Sequence, residues 1–345
     1  MKALFLERKE VLAFRDFDCI ETVGPDDVRI KIHTVGISGS DLHYYRHGQV
    51  GRYLMQEPLI LGHEASGTVL EVGANVQNLR PGDRVCMEPG VPDPRSKATR
   101  LGRYNLDPQV RFWSVPPYHG VLRESVVHPA PFVFKLPDHI SFAEGALVEP
   151  LAIGMYGAQK AEIKPGDVAL VFGAGTIGTM TTLSALAGGC SKVILADIVQ
   201  ERLDRMSEFG PIVPVNPGRE NLLDVVSELT DGWGADIIFE ATGTTAWASQ
   251  IFDPLCPGGR IIWIGLPSQP VPLDLAYATV KEARILTLMR YAHIFPRALA
   301  LMGSGQVDLK PFITDVYPFS QSIEAFAYAN DPRPSSIKVQ IVMET

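Results

Sequence analysis

Val168-Ala169-Leu170-Val171-Phe172-Gly173-Ala174-Gly175-Thr176-Ile177-Gly178 is the stretch that decides the fold. Five apolar residues without a charge read as a buried strand, and a G-x-G-x-x-G follows at the opening of a helical pattern. Gly173 permits the tight turn, Gly175 lets a pyrophosphate approach the backbone, and Gly178 allows close packing of helix on strand. The helix that opens at Thr176 turns its first N–H groups and the positive end of its dipole toward phosphates. A second strand, residues 192–197, ends about 20 residues further on in Asp197. That carboxylate can accept both ribose hydroxyls and would repel a 2′-phosphate, so the motif reads as a site for NAD rather than NADP. A glycine-rich turn alone is a weak signal; strand, glycines, helix and acid in register make a strong one. Arg202 either flanks the adenosine or lies on a wet helix face.

Outward from this stretch, strand patterns (192–197, 236–240, 260–264, 285–288) alternate with helical ones (176–187, 199–209, 221–229). Alternation of this kind predicts βαβ units and a doubly wound parallel sheet over residues 151–289, an α/β architecture. The run 168–191 carries no charge and is long enough to cross a bilayer, but its five glycines suit a strand, a turn and a helix, so no membrane span is expected. Residues 1–150 instead show short β-type runs (28–33, 67–73, 83–85) broken by Gly and Pro, the pattern of a mostly β, barrel-like domain. Residues 290–345 are too short to fold alone and are expected to complete that first domain.

The whole chain of 345 residues suits two domains with real cores. Its 46% hydrophobic and 20% charged content excludes disordered and fibrous classes. A net charge of −8 argues against a nucleic-acid partner. Cys19, Cys86, Cys190 and Cys256 have no paired spacing, which excludes a disulfide scaffold and fits a reducing compartment. The first ten residues hold charges and no apolar signal core, so a cytoplasmic location is expected.

Gly62-His63-Glu64-Ala65-Ser66-Gly67, followed by Gly73, Val76, Gly82, Asp83 and Val85, forms a G-H-E-x-x-G-x5-G-x2-V pattern. Val35-Gly36-Ile37-Ser38-Gly39-Ser40-Asp41-Leu42-His43-Tyr44-Tyr45 lies upstream, and Gly145-Ala146-Leu147-Val148-Glu149-Pro150-Leu151 downstream. Together these segments resemble the zinc-containing medium-chain alcohol dehydrogenases along the whole chain. Glu88-Pro89-Gly90-Val91-Pro92, residues 102–106 and Arg290-Tyr291 narrow the resemblance to the polyol branch, the sorbitol and xylitol dehydrogenases. The resemblance implies a GroES-like catalytic β domain and a Rossmann-type domain. It implies zinc on His63 and Glu64, with Glu149 holding the metal directly or through a water. Such a site keeps about three protein ligands and one open position for a substrate hydroxyl.

By the same resemblance Ser40 relays the alcohol proton, with His43 close by. Tyr44, Glu149, Arg290 and Tyr291 fall where the family holds substrate, although Tyr45 and Tyr291 also suit core aromatics and His43 a structural histidine. Ile177, Ile264, Gly265, Leu266 and Leu288 match an apolar wall behind the nicotinamide, Arg290 belongs to the cofactor side as well, and Thr287 replaces a family glycine. A homo-oligomer, a tetramer by analogy, is implied too.

Two departures bear on mechanism. Ser38 stands where the family has a cysteine ligand, and a neutral hydroxyl is a far weaker donor than thiolate. Three explanations are open: a site rebuilt on His63, Glu64 and Glu149, a weakened site needing added metal, or an introduced Cys→Ser replacement. The family's second, structural zinc uses four cysteines, and the matching positions here are Asp93, Ser96, Thr99 and Asp107, so no structural zinc is expected. The expected activity is NAD-dependent oxidation of a small polyol at C2, xylitol to D-xylulose, with sorbitol as near neighbour. L-threonine or butanediol dehydrogenase is the alternative enzyme, and a nucleotide-binding structural protein the alternative of another class.

Overall fold

The computed structural model describes residues 1–18 and 21–343, so Cys19 of the thiol count lies outside the described residues. The chain divides into two compact units, Met1–Glu149 with Phe295–Thr345, and Pro150–Ile294.

The second unit is built on a six-stranded parallel sheet ordered Ile212–Val215, Lys192–Ala196, Val168–Phe172, Ala235–Glu240, Leu255–Trp263, Arg284–Thr287. Sheets of this kind are covered on both faces, which is why these strands read as near-continuous apolar runs. Leu170, Phe172, Ile194, Ile238, Phe252 and Ile261 form the core. Strand order reverses beside Val168–Phe172, and the turns after Phe172, Ala196 and Glu240 sit level with one another because those residues are paired in register. That is the place where open α/β sheets bind ligands. The uncharged run is a strand and the helix Thr176–Gly188; among the described residues no helix is long and apolar enough to cross a membrane. The helix expected over 199–209 is shorter, Gln200–Met206, and Gly210 takes φ +122° before the next strand, a left-handed turn that helix cannot continue through.

The first unit wraps seven strands into one mostly antiparallel sheet centred on Asp27–Gly36, which pairs with Glu64–Val72, Ser125–Pro129 and Lys338–Val342. Alternation along the central strand buries Val28, Ile30, Ile32 and Thr34, and Val35 is buried where the alternation ends. The C-terminal strand therefore lies within the sheet that the N-terminal residues begin, with Gln340 opposite Gly36. Cys86, Cys190 and Cys256 are buried free thiols.

The segment 93–107 is tied by ordinary polar contacts. Ser96 caps the short helix Lys97–Arg100 and its Oγ donates to Thr99 Oγ1 at 2.9 Å. Asp107, 3% exposed, accepts from Asp93 N at 2.6 Å and Gln109 N at 3.1 Å. Tyr104 Oη donates to Glu88 Oε1 at 2.7 Å, fastening the segment to the strand Arg84–Met87. Asp93, Ser96, Thr99 and Asp107 are thus engaged in hydrogen bonds of their own.

Candidate metal and nucleotide sites

In the first unit, three ligating side chains converge. His63, Glu64 and Glu149 are all buried, and a potential ligand atom from each lies within 4.8 Å of the others. Among the described residues this is the one such group of His, Cys, Asp and Glu side chains. Its geometry follows from local backbone rules. Gly62 has φ +91°, and a Cβ there would meet Val35 Cγ1 at 2.8 Å, so glycine is required for the turn that delivers His63. Glu64 opens the strand Glu64–Val72, facing Gly36 across the sheet. Glu149 stands in the first turn of the helix Val148–Lys160.

The next layer was not assigned from sequence. Asp41, fully buried, gathers four donors: Ser38 N (3.0 Å) and Ser38 Oγ (2.8 Å) on Oδ2, Gly62 N (3.1 Å) and Ser114 Oγ (2.7 Å) on Oδ1. His63 Nδ1 lies 3.7 Å from the same carboxylate, beyond hydrogen-bond reach, and has no other hydrogen-bond partner. Burial alone would lower His63, but the charge of Asp41, then of Glu149 and Glu64, outweighs it and raises the imidazole to about 9. Burial would likewise raise Asp41, and the His63 charge with the Ser114 and Ser38 hydrogen bonds holds it well below the ordinary carboxylate range.

Lys338, 1% exposed, ion-pairs with Glu64 Oε2 and donates to Ile37 O at 2.9 Å. Gly36 makes room for that pair, since a Cβ there would sit 2.1 Å from Glu64 Oε2 and 2.8 Å from Lys338 Cε. Burial pushes Glu88 up to about 7, and the charge of Glu149 adds to the rise against the Tyr104 hydrogen bond.

Charge decides what this cluster fits. With Glu88 pushed toward its neutral form, three buried carboxylates, Asp41, Glu64 and Glu149, stand against one buried ammonium, Lys338. Unpaired buried charge is costly. A divalent cation in place of the His63 proton balances the set, and one imidazole with two carboxylates is a sound zinc donor group that keeps a fourth position open. The residues present therefore fit the metal.

Ser38, expected at the ligand position, is turned to another task. It is the N-cap of the helix Gly39–His47, completing a capping box with Asp41. Ser40 Oγ lies 3.0 Å from Ser38 Oγ, His43 is half-buried with its pKa lowered by burial, and Tyr44 is buried at 1% exposure. Sequence could have shown the cap, because S-x-x-D ahead of a helical pattern is its signature. Lys338 had a weaker signal, a lone cation in an apolar strand, and nothing in sequence names its partner 274 positions away.

The second unit assembles the nucleotide residues. Asp197 Oδ2 accepts from Ala174 N at 2.6 Å and Oδ1 from Val199 N at 2.8 Å, which fixes the acid beside the glycine turn. Gly173 has φ +97°, and a Cβ at Gly178 would strike Gly173 O at 1.7 Å. A Cβ at Gly175 would meet nothing within 4 Å, so the turn opens onto free space, and no side chain caps the helix that begins at Thr176. This is the form a pyrophosphate needs. Ile177, Ile264 and Leu288 are half-buried and Leu266 is exposed, while Gly265 is pinned by its N–H to Glu240 O at 2.9 Å. Arg202 is half-buried, Tyr291 is buried at 2%, and Arg290 holds a left-handed φ of +53°. Thr287 ends the strand Arg284–Thr287 without breaking it. Ser40, His43, Tyr44 and the metal group lie in the first unit, Arg290, Tyr291 and the cofactor residues in the second.

Two family profiles match the chain: Alcohol dehydrogenase GroES-like domain over residues 24–138 and Zinc-binding dehydrogenase over residues 176–304. A D-xylulose reductase of Morganella morganii is 51% identical, the match covering 96% of this chain and 98% of that one. A sorbitol dehydrogenase of Mus musculus is 37% identical over 90% of this chain and 87% of its own length. Among solved structures, an Escherichia coli oxidoreductase/dehydrogenase of unknown specificity superposes with a TM-score of 0.94 at 32% identity, covering 100% of this chain and 99% of that one.

Proposed function

The chain belongs to the zinc-dependent medium-chain alcohol dehydrogenase family, and on that premise we propose that it oxidises the C2 hydroxyl of xylitol to D-xylulose with NAD, sorbitol being the neighbouring substrate. The observation that carries the reading is the 51% identity, along nearly the whole chain, to a protein named D-xylulose reductase. The buried trio His63, Glu64 and Glu149 supports it, because oxidation of an unactivated alcohol needs its hydroxyl made acidic.

When bound, zinc would supply that Lewis acidity and NAD the acceptor for the hydride of C2. The chain's own residues do the rest. His63, Glu64 and Glu149 would hold the metal, and the Asp41 carboxylate, 3.7 Å from His63 Nδ1, acts on that imidazole through its charge. Lys338 offsets the charge of Glu64. The Ser40 hydroxyl accepts the hydrogen bond of the substrate hydroxyl and passes its proton on without ionising, with His43 beside it. Within the first unit, Tyr44 orients the remaining hydroxyls of the polyol. Gly173, Gly175 and Gly178 shape the pyrophosphate turn, and Asp197 accepts the ribose hydroxyls while disfavouring a 2′-phosphate. The same reading takes the protein as a cytoplasmic homotetramer with no structural zinc, open to sedimentation and metal analysis.

NADH formation measured with xylitol, sorbitol, L-threonine and butanediol, with added zinc, tests the substrate. Xylitol should give the highest kcat/KM. No turnover of any of them, even by Ser38→Cys, overturns the enzyme reading in favour of a nucleotide-binding structural protein. Equal or better turnover with NADP overturns the role of Asp197.

A further inference from the structure

We propose that the metal centre of this protein has no sulfur and no hydroxyl ligand: His63, Glu64 and Glu149 all bind the cation directly, and Ser38 serves the helix instead. The proposal rests on the zinc-dehydrogenase reading and specifies its ligand set.

Ser38 has one proton and two lone pairs to offer. The proton goes to Asp41 Oδ2 at 2.8 Å. One lone pair accepts from Asp41 N at 3.0 Å, closing the cap of the helix Gly39–His47. The other faces Ser40 Oγ at 3.0 Å, and since the Ser38 proton is already spent on Asp41, Ser40 is the donor there. Both electron pairs are engaged, so ligation by Ser38 would have to displace the Ser40 hydroxyl or open the cap of the helix. The remaining trio needs no help, because its three ligand atoms already lie within 4.8 Å of one another.

Charge points the same way. Asp41, Glu64 and Glu149 against Lys338 and a divalent cation sum to neutrality in a buried site. A thiolate at position 38 would leave one buried negative charge over. What makes Glu149 a direct ligand rather than the holder of a water is distance, since its oxygen lies within 4.8 Å of the ligand atoms of His63 and Glu64. A set of one imidazole and two carboxylates is also harder than one with thiolate, so Co2+ and Mn2+ compete better with Zn2+ here, and thiophilic Cd2+ loses its advantage.

The test is cobalt loading of the metal-stripped full-length protein, read by absorption and by competition with a chelator. Wild type should bind one Co2+ per chain with no sulfur-to-cobalt charge-transfer band. Ser38→Gly removes the hydroxyl at a cost to the cap of only a few tenths of a kcal/mol. It should keep the same spectrum and a cobalt affinity within about 3-fold of wild type, below the ~10-fold that loss of even an outer partner costs. Ser38→Cys should gain the band and a sharper preference for Zn2+ over Mn2+. Glu149→Gln should lose about 100-fold or more in affinity, the upper end for outer partners and the floor for a ligand. A loss in Ser38→Gly as large as that in Glu149→Gln, about 100-fold or more, with circular dichroism as in wild type, makes the serine a ligand and overturns the proposal, whereas a smaller loss is that of an outer partner and upholds it. Cobalt bound by Ser38→Cys alone overturns it too but leaves the dehydrogenase reading standing, whereas cobalt bound by no variant overturns both.

Discussion

Asp41→Asn isolates the residue on which the catalytic unit turns. Four hydrogen-bond donors converge on the two oxygens of a fully buried carboxylate. An amide keeps the shape but has one oxygen. With that oxygen toward Gly62 N and Ser114 Oγ, the new NH2 faces Ser38 N, which loses its acceptor, and Ser38 Oγ must rotate to accept. A buried donor left without a partner costs ~1–3 kcal/mol, and bonds to a neutral oxygen are weaker than those to a carboxylate. The sum is about 2–4 kcal/mol of stability in the metal-stripped protein. His63 loses its strongest favourable neighbour at the same time, so its pKa falls from about 9 toward the ordinary 6.5. Urea unfolding of the first unit and NMR titration of His63 measure the two effects. A stability loss under about 0.5 kcal/mol, the level of an indifferent surface change, together with His63 still titrating near 9, would refute the reasoning.

In the metal-stripped wild type, the raised pKa of His63 gives stability that is fully present below pH 6.5 and is lost as pH rises through about 9, a decline that urea midpoints at several pH values would detect. Because the metal must displace that proton, apparent metal affinity should climb with pH by up to about tenfold per unit until about pH 9, then level off; a flat profile from chelator competition contradicts it. Gly36→Ala places a Cβ 2.1 Å from Glu64 Oε2 and should part Glu64 from Lys338, costing about 3–5 kcal/mol and most of the bound metal, by calorimetry and metal analysis. Asp107→Ala strips two backbone N–H groups of their acceptor, and amide exchange over residues 93–109 should accelerate by tenfold or more at ~1–3 kcal/mol per orphaned group, with the metal content unchanged.

The nucleotide half of the fold was legible because each local feature there has one meaning. The apolar strand Val168–Phe172, the glycine spacing and the acid at 197 each demand the same turn, and the sheet has the order that turn implies. The trio His63, Glu64 and Glu149 was legible by resemblance, and the structure brings it together within the first unit. What sequence did not yield are the charges around it. Asp41 drew no assignment from sequence, and although S-x-x-D could have marked the cap, only the fold turns its second oxygen to Gly62 and Ser114. Ser38 reads as a damaged ligand, and only its hydrogen bonds show a serine fully engaged elsewhere. The segment 93–107 reads as an ordinary loop with no structural zinc expected, while Asp107 and Tyr104 hold it by means that no spacing rule records.

The partnership of Glu64 with Lys338 also dictates an order of events during synthesis. The strand Glu64–Val72 leaves the ribosome long before the strand Lys338–Val342, and the second unit is made in between. Until position 338 emerges, Glu64 has no ammonium to face, and the central strand Asp27–Gly36 still lacks its C-terminal neighbour. The nucleotide-binding unit is contiguous and can fold by itself during translation, as domains generally do. The catalytic unit closes last, around a contact of very long sequence separation, the kind that forms slowly. A nascent chain therefore completes its dinucleotide fold before Glu64 meets its buried ammonium.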